Sequence, residues 1–223
     1  MTTFLQKDKL QNYKGWTLPL YCDHFHPTIS EGMKNSYQTK CDSTVFSNTP
    51  IKKVAIDIGG NIGLMARRYA EVFEHVYTFE PVPENYSCLH YNTEDLNNVT
   101  IYTNGLGEEE KQETILLPER INSCGSWSIV DFENKTEPMR SFPIDIKTLD
   151  SFGLEPDFIK IDIQGYEIEV LKGAVNTLEK FKPTLLIETK SDGRDISLPI
   201  GRFLAQFGYK EIKKFNKDRI YKA

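Results

Sequence analysis

Val54-Ala55-Ile56-Asp57-Ile58-Gly59-Gly60-Asn61-Ile62-Gly63 is an apolar run that ends on an acid and opens into a glycine turn. Ile62, Met65, Tyr69, Val72 and Phe73 then follow helical spacing. A strand that stops at a glycine turn and resumes as a helix is the first half of a crossover unit, and the glycines allow a tight turn with close backbone approach to a ligand. The dinucleotide fingerprint needs G-x-G-x-x-G. Here Gly60 directly follows Gly59 and Asn61 takes the next place, which disfavours a pyrophosphate cradle and a nicotinamide-dependent oxidoreductase with it. What remains is an acid at the strand end in D-x-G-x-x-x-G spacing, suited to a cofactor with an amino acid group and no phosphate.

Working outward, residues 76 to 79 read as a second strand closed by Glu80. That acid follows Gly63 at about the offset where a carboxylate accepts hydrogen bonds from ribose hydroxyls, so the two features together indicate an adenosine-type ligand. Pro81 and Pro83 open a helix over residues 83 to 96, Pro83 in the first turn where its missing N–H does no harm. Residues 99 to 103 give a third strand, 158 to 163 a fourth and 184 to 188 a fifth. Between the last two, Ile168, Leu171, Val175 and Leu178 share one helical face that Gly173 interrupts. A helix near 198 to 207 and a hairpin of 209 to 215 with 219 to 222 complete the chain.

Strands alternating with amphipathic helices predict a parallel sheet covered on both faces. The expected fold is therefore α/β: a doubly wound, mostly parallel, seven-stranded Rossmann-like sheet with a C-terminal antiparallel hairpin. Residues 108 to 147 break the rhythm, with 113 to 117, 127 to 130 and 142 to 146 as short antiparallel pieces. The organisation predicted is a leader over 1–52, a candidate substrate lid in which no element is assigned, and a domain over 53–223 with a β insertion at about 108–147.

The 223 residues suffice for a full core without staples. A formal net charge of −5 opposes nucleic acid, and the lysine-dense stretch from Lys210 to Lys222, with Arg219 inside it, reads as the solvated face of the terminal hairpin. No run approaches the ~20 apolar residues of a membrane span. Four scattered cysteines without a CxxC pair, and a polar start after Met1, predict reduced thiols and a cytoplasmic protein. Cys22, His24, His26 and Cys41 match no ordinary zinc spacing. His24, His26 and Tyr37 are candidates to reach an acceptor from the leader, and Trp127 fits either stacking on a sugar or core packing.

From residue 53 to about residue 190 the chain resembles the FkbM family of class I S-adenosylmethionine-dependent methyltransferases. The resemblance rests on Ala55 to Leu64, on Thr78-Phe79-Glu80-Pro81, and on Gly105-Leu106-Gly107. It continues through Phe158-Ile159-Lys160-Ile161-Asp162-Ile163-Gln164-Gly165-Tyr166-Glu167 and Val170-Leu171-Lys172-Gly173-Ala174 to Leu186-Ile187-Glu188. It implies that Asp57, Gly59 and Gly63 hold the methionine part of S-adenosylmethionine, and that Gly60, Asn61 and Asp162 also contact the cofactor. It further implies that Glu80 and Pro81 lie at the ribose, that Asn104, Gly105 and Leu106 edge the adenine, and that Asp162 faces the reacting centre. Gln164 stands where the family often has Glu.

Methyl transfer from a sulfonium is an in-line displacement, so an enzyme chiefly aligns and desolvates. A hydroxyl acceptor also needs help losing its proton. Asp162 ends strand four, Glu167 lies one helical turn into the next element and Glu188 ends strand five, so these acids are the candidate catalytic groups. The same carboxylates are chemically suited to a hard divalent ion, although no dense ligand motif favours a metal. The resemblance implies O-methylation of a small molecule or a sugar in a glycan. The competing reading, a non-catalytic binding or scaffold module on the same fold, would bind the donor and give no demethylated product.

Overall fold

In the computed structural model, residues 3–32, 39–118, 139–191 and 194–223 are described. The leader holds strands β1 (Leu10–Tyr13) and β2 (Trp16–Pro19), paired as a hairpin, and helices α1 (His26–Ser30) and α2 (Thr39–Asn48). There follow β3 (Val54–Ile58), α3 (Leu64–Ala70), β4 (His75–Phe79), α4 (Pro83–Thr93), β5 (Val99–Tyr102), β6 (Gly105–Leu106), β7 (Lys111–Pro118) and β8 (Met139–Lys147). The rest of the chain gives β9 (Phe158–Ile161), α5 (Glu167–Lys172), α6 (Val175–Phe181), β10 (Thr184–Glu188), β11 (Lys190–Ser191), β12 (Arg194–Asp195), α7 (Ser197–Ala205), β13 (Lys210–Lys214) and β14 (Asp218–Lys222).

The central sheet has seven strands in the order β5-β4-β3-β9-β10-β14-β13. Its first five strands are parallel, β14 runs antiparallel to β10, and β13 antiparallel to β14. The order reverses at β3: the chain steps outward to β5, then returns to lay β9 on the other side. Side-chain alternation assigns the two faces. Ala55, Phe158 and Leu186 pack under α2 and α3 with Val45, Met65, Tyr69 and Ile220. Ile56, Ile58, Ile159, Ile161, Leu185 and Ile187 pack under α5, α6 and α7 with Val170, Leu178 and Leu204. Burial on both faces explains why these strands read as continuous apolar runs.

The helix expected around Gly173 is two helices. A Cβ on Gly173 would lie 1.9 Å from the carbonyl oxygen of Gly107, so the chain must be bare where it crosses the loop after β6. The Asp150 carboxylate then caps α6, accepting from the amides of Asn176 and Thr177 at 2.9 Å. Gly173→Ala is expected to cost roughly 2–3 kcal/mol, read as a lowered denaturation midpoint, because both clashing groups are backbone. A midpoint equal to wild type would show that the crossing is slack.

The insertion pairs β7 with β8 antiparallel and β6 with β8 parallel, and Ile115, Ile144 and Ile146 close over Val82 beside α4. The strand expected at 127 to 130, with Trp127, lies outside the described residues. The leader, for which no element was expected, docks its hairpin on α4 and its helix α2 on the central sheet. The Asn92 amide accepts from the Thr17 amide at 2.7 Å and donates to the carbonyls of Thr17 and Ile62 at 2.8 Å, tying the hairpin to the loop before α3.

Two expectations need correction. Arg219 is not on the wet face of the hairpin: β14 lies inside the sheet, Arg219 is 2% exposed, and its guanidinium donates to the carbonyls of Phe215 and Asp218. The lysines of β13, at the sheet edge, are exposed. Nor are all thiols reduced: Cys41 and Cys88 are free, but Cys22 is disulfide-bonded. Among the described residues no helix is long and apolar enough to cross a membrane.

Candidate active site

A cleft of about 910 Å³, counted out to its open mouth, lies at the carboxyl ends of β3, β4 and β9, where the strand order reverses. That is where open α/β sheets bind ligands. Its floor is the loop after β3. The Gly59 and Gly60 amides both donate to the Phe79 carbonyl at 3.0 Å, and the left-handed angles of Gly59 (φ 84°), Asn61 (φ 49°) and Gly63 (φ 92°) fold the loop back to start α3. Side chains are excluded here on structural grounds, since a Cβ on Gly59 would lie 2.0 Å from the Asp162 carbonyl oxygen.

Glu80 follows β4 and is turned onto this loop. One carboxylate oxygen accepts from the Asn61 amide at 2.8 Å, the other from the Val82 amide at 3.1 Å and the Asn85 side chain at 3.4 Å. Burial pushes its pKa up to about 7 against these donors. Asn61 Oδ1 also lines the cleft, is buried, and has no hydrogen-bond partner. Such an acceptor is costly to leave unpaired and suits a ligand that brings an N–H or O–H donor.

On the opposite wall Asp162, 8% exposed, accepts from the Gln164 amide at 3.2 Å. The same Gln164 nitrogen donates to Glu188 at 3.0 Å, and the Lys217 ammonium lies 3.5 Å from the other Glu188 oxygen. Burial, then the charge and hydrogen bond of Asp162, push the Glu188 carboxyl up to about 9, so the two carboxyls hold a proton between them at neutral pH. Glu167 takes no part in this. It is fully buried and accepts from the amides of Ile163 and Gly165 at 3.3 and 3.0 Å, holding the loop between β9 and α5. Among the described residues, no group of three or more His, Cys, Asp or Glu is disposed to hold a metal ion.

Of the residues expected at the site, Gly59, Gly60, Asn61, Glu80, Pro81, Asn104, Gly105, Leu106 and Asp162 line the cleft. Gly63, Glu167 and Glu188 stand outside its wall, and so does Asp57. Expected to touch the methionine part of a donor, Asp57 instead turns to the α3 face, where its carboxylate meets the Lys160 ammonium at 3.0 Å. The two are cross-strand neighbours in the β3–β9 register, which explains the pairing.

Sequence reasoning gave no role to Lys160, Phe25 or Tyr166, all of which line the cleft. Phe25 is the leader's contribution. Of its neighbours, His24 lies tilted against Phe25 at 3.8 Å and His26 stacks on Tyr13 at 3.8 Å, and neither reaches the wall. Tyr37 lies outside the described residues.

Known proteins fit this geometry. The methyltransferase FkbM domain matches residues 57–211. "Methyltransferase 1" of Beauveria bassiana is 27% identical over 152 residues, 56% of this chain and 59% of its own. The hexuronic acid methyltransferase AglP of Haloferax volcanii is 25% identical over 173 residues, 74% of this chain and 67% of its own. Among solved structures, methyltransferase FkbM from Methylobacillus flagellatus superposes with a TM-score of 0.55 at 22% identity, over 78% of this chain and 44% of that one. A putative methyltransferase from Streptococcus mutans in complex with SAH gives 0.50 at 11% identity, over 84% of this chain and 100% of its own. The chain thus spans only about half of some of these relatives. With the sheet order, the glycine turn and the acid after β4 all in place, the family match over most of its length means that this chain belongs to the FkbM methyltransferase family.

Proposed function

We infer that the protein methylates a hydroxyl of a small molecule or sugar, using S-adenosylmethionine as donor. The observation that carries this reading is the convergence on one cleft of a bare glycine loop, the Asn61 and Glu80 acceptors, and the Asp162 carboxylate. The donor supplies an electrophilic methyl on a sulfonium: the acceptor oxygen–methyl bond forms as the sulfur–methyl bond breaks, and sulfur keeps the electron pair. The protein's part is to seat and align. Gly59, Gly60 and Asn61 would seat the amino acid end of the donor, Glu80 would accept from the ribose hydroxyls, and Asn104 to Leu106 would flank the base. Asp162, on the cleft wall, would take the hydroxyl proton. The leader, reaching the cleft through Phe25, and the insertion, through Ile115, would enclose the acceptor.

The name of the Haloferax relative makes an acidic sugar the first acceptor to try. Calorimetry with S-adenosylmethionine and with S-adenosylhomocysteine tests the donor reading, and silence with both overturns it. Binding without any demethylated product across a panel of hydroxylated acceptors would favour a non-catalytic module.

Glu80 gives the binding a pH signature. Ribose hydroxyls donate to the ionised carboxylate, which is the minor form below about pH 7. Donor affinity is therefore expected to fall on acidification from pH 8 to pH 6, approaching tenfold per unit below the pKa. Without ligand the sign for stability is opposite: a carboxyl raised from 4.5 to about 7 favours the folded state below its unfolded pKa, and that contribution fades as pH rises through about 7. Glu80→Gln should bind more weakly and lose the pH dependence between those values. A wild-type affinity flat across that range would discredit the ribose assignment.

A further inference from the structure

Lys160 is a buried charge in an otherwise apolar strand. It sits in the middle of β9 on the face that carries Phe158, its residue exposure is 2%, and it nevertheless lines the cleft. Its Nζ is 3.0 Å from Asp57 Oδ1, 3.4 Å from the Gly59 carbonyl oxygen and 4.0 Å from Asp162 Oδ2. One ammonium thus touches a buried strand carboxylate, the floor of the cleft and the carboxylate on its wall. Burial alone would depress its pKa, but Asp57 and then Asp162, with a smaller pull from Asp218 on β14, outweigh that and hold it above the ordinary lysine range.

We propose that Lys160 sets the charge of the donor seat: it offsets one of the two carboxylates at the ends of β3 and β9, so that the donor's sulfonium meets one negative charge fewer than these acids and Glu80 would present without it. The reason lies in the reaction class. The sulfonium is positive in the ground state and its charge fades as the methyl leaves, so a wall that is too negative holds the donor more tightly than the transition state and raises the barrier. A buried lysine between two acids limits that grip while preserving Asp162 as an acceptor. The same bond to the Gly59 carbonyl makes Lys160 a positioning residue for the loop, and the two roles can be told apart by charge.

This inference rests on reading the cleft as the donor site. The test needs no acceptor, because S-adenosylmethionine carries the sulfonium charge and S-adenosylhomocysteine lacks it. Calorimetry with both ligands on the full chain gives their affinity ratio. Lys160→Met, which removes the positive charge, is expected to shift the ratio roughly tenfold toward S-adenosylmethionine, the scale a unit charge exerts across a few ångströms of partly buried protein. Asp57→Asn, which removes a negative charge from the same cluster, should shift it the other way. The double variant Asp57→Asn/Lys160→Met, with both charges gone, should return it close to wild type. If Lys160→Met weakens both ligands by one common factor, the residue only props the loop and the proposal fails. Should Lys160→Met not fold, Asp57→Asn decides alone, and an unchanged ratio overturns the idea. A wild type that binds neither ligand removes the donor reading itself, and the proposal with it, whereas a wild type that binds both with ratios indifferent to these charges defeats the proposal alone.

Discussion

Gly59→Ala is expected to abolish donor binding and to destabilise the protein by roughly 4 kcal/mol, more than any surface substitution in the chain. Two costs combine. At φ 84° an L-residue sits in the left-handed region, which alone costs on the order of 1 kcal/mol for alanine. The larger cost is contact: the new methyl would lie 2.0 Å from the Asp162 carbonyl oxygen and 3.1 Å from Ile163 Cγ2. The first of these is backbone and cannot rotate away. Nor can it readily shift, because the Asp162 amide donates to the Ile58 carbonyl at 3.1 Å and extends the β3–β9 ladder to this point. Any relief must move the floor of the cleft relative to its wall.

Gly153→Ala is the control, since Gly153 is also left-handed, at φ 61°, yet an added Cβ there meets nothing within 4 Å. It should lose only the conformational part and keep donor binding. Denaturant titration of both variants, with calorimetry on S-adenosylmethionine, separates the two contributions. Equal losses in the two variants would mean that β3 and β9 do not meet as closely as the structure shows.

The parts of this architecture legible in the sequence are those whose physical cause is continuous along the chain. The parallel strands stand between helices and are buried on both faces, so 54 to 58, 158 to 161 and 184 to 188 stand out as apolar runs. The glycine turn shows because a left-handed backbone restricts residue choice. Glu80 shows because an acid stands at a strand end directly beside that turn. The leader could not be read in the same way. Its strands are four residues long and α1 five, too short for periodicity to register, and it is ordered by contacts distant in sequence, such as Asn92 on Thr17 and Leu18 among Ile62, Leu64 and Cys88.

The differences between the expected and the observed placement of these acids have one geometric source. Strand residues alternate between faces, and an acid at the end of β3 serves whichever face its parity selects. Asp57 shares parity with Ala55, which packs under α3, so it turns to that face and meets Lys160. The clue was present: a lysine enclosed by Ile159 and Ile161 in a strand otherwise wholly apolar requires a buried partner, and Asp57 was the acid at the end of a neighbouring strand. Glu167 lies away from its expected place for a related reason. Spacing alone cannot distinguish an acid that faces a pocket from one that turns back to cap the amides before its own helix, as this one does at Ile163 and Gly165.

That distinction gives the second large effect. Asp162→Asn is expected to lower turnover at saturating donor by about 10²–10⁴, the range associated with removing a general base, while S-adenosylmethionine binding weakens by about tenfold, the effect of one negative charge lost beside the sulfonium. Asparagine keeps the shape and the contact with Gln164 but cannot take the proton of a hydroxyl. Glu167→Gln should do the reverse: it leaves the cleft wall intact and weakens the capping of the loop before α5, so its loss should appear in stability ahead of kcat. Glu188→Gln tests the division of charge within the pair. Since burial and Asp162 raise the Glu188 carboxyl, replacing it by a neutral amide should change kcat less near neutrality than on the alkaline side of the pH profile. With an acceptor that supports wild-type turnover, normal activity in Asp162→Asn would end the assignment of the base. Equal losses in Asp162→Asn and Glu188→Gln would instead show that the proton moves through the two carboxyls as one unit.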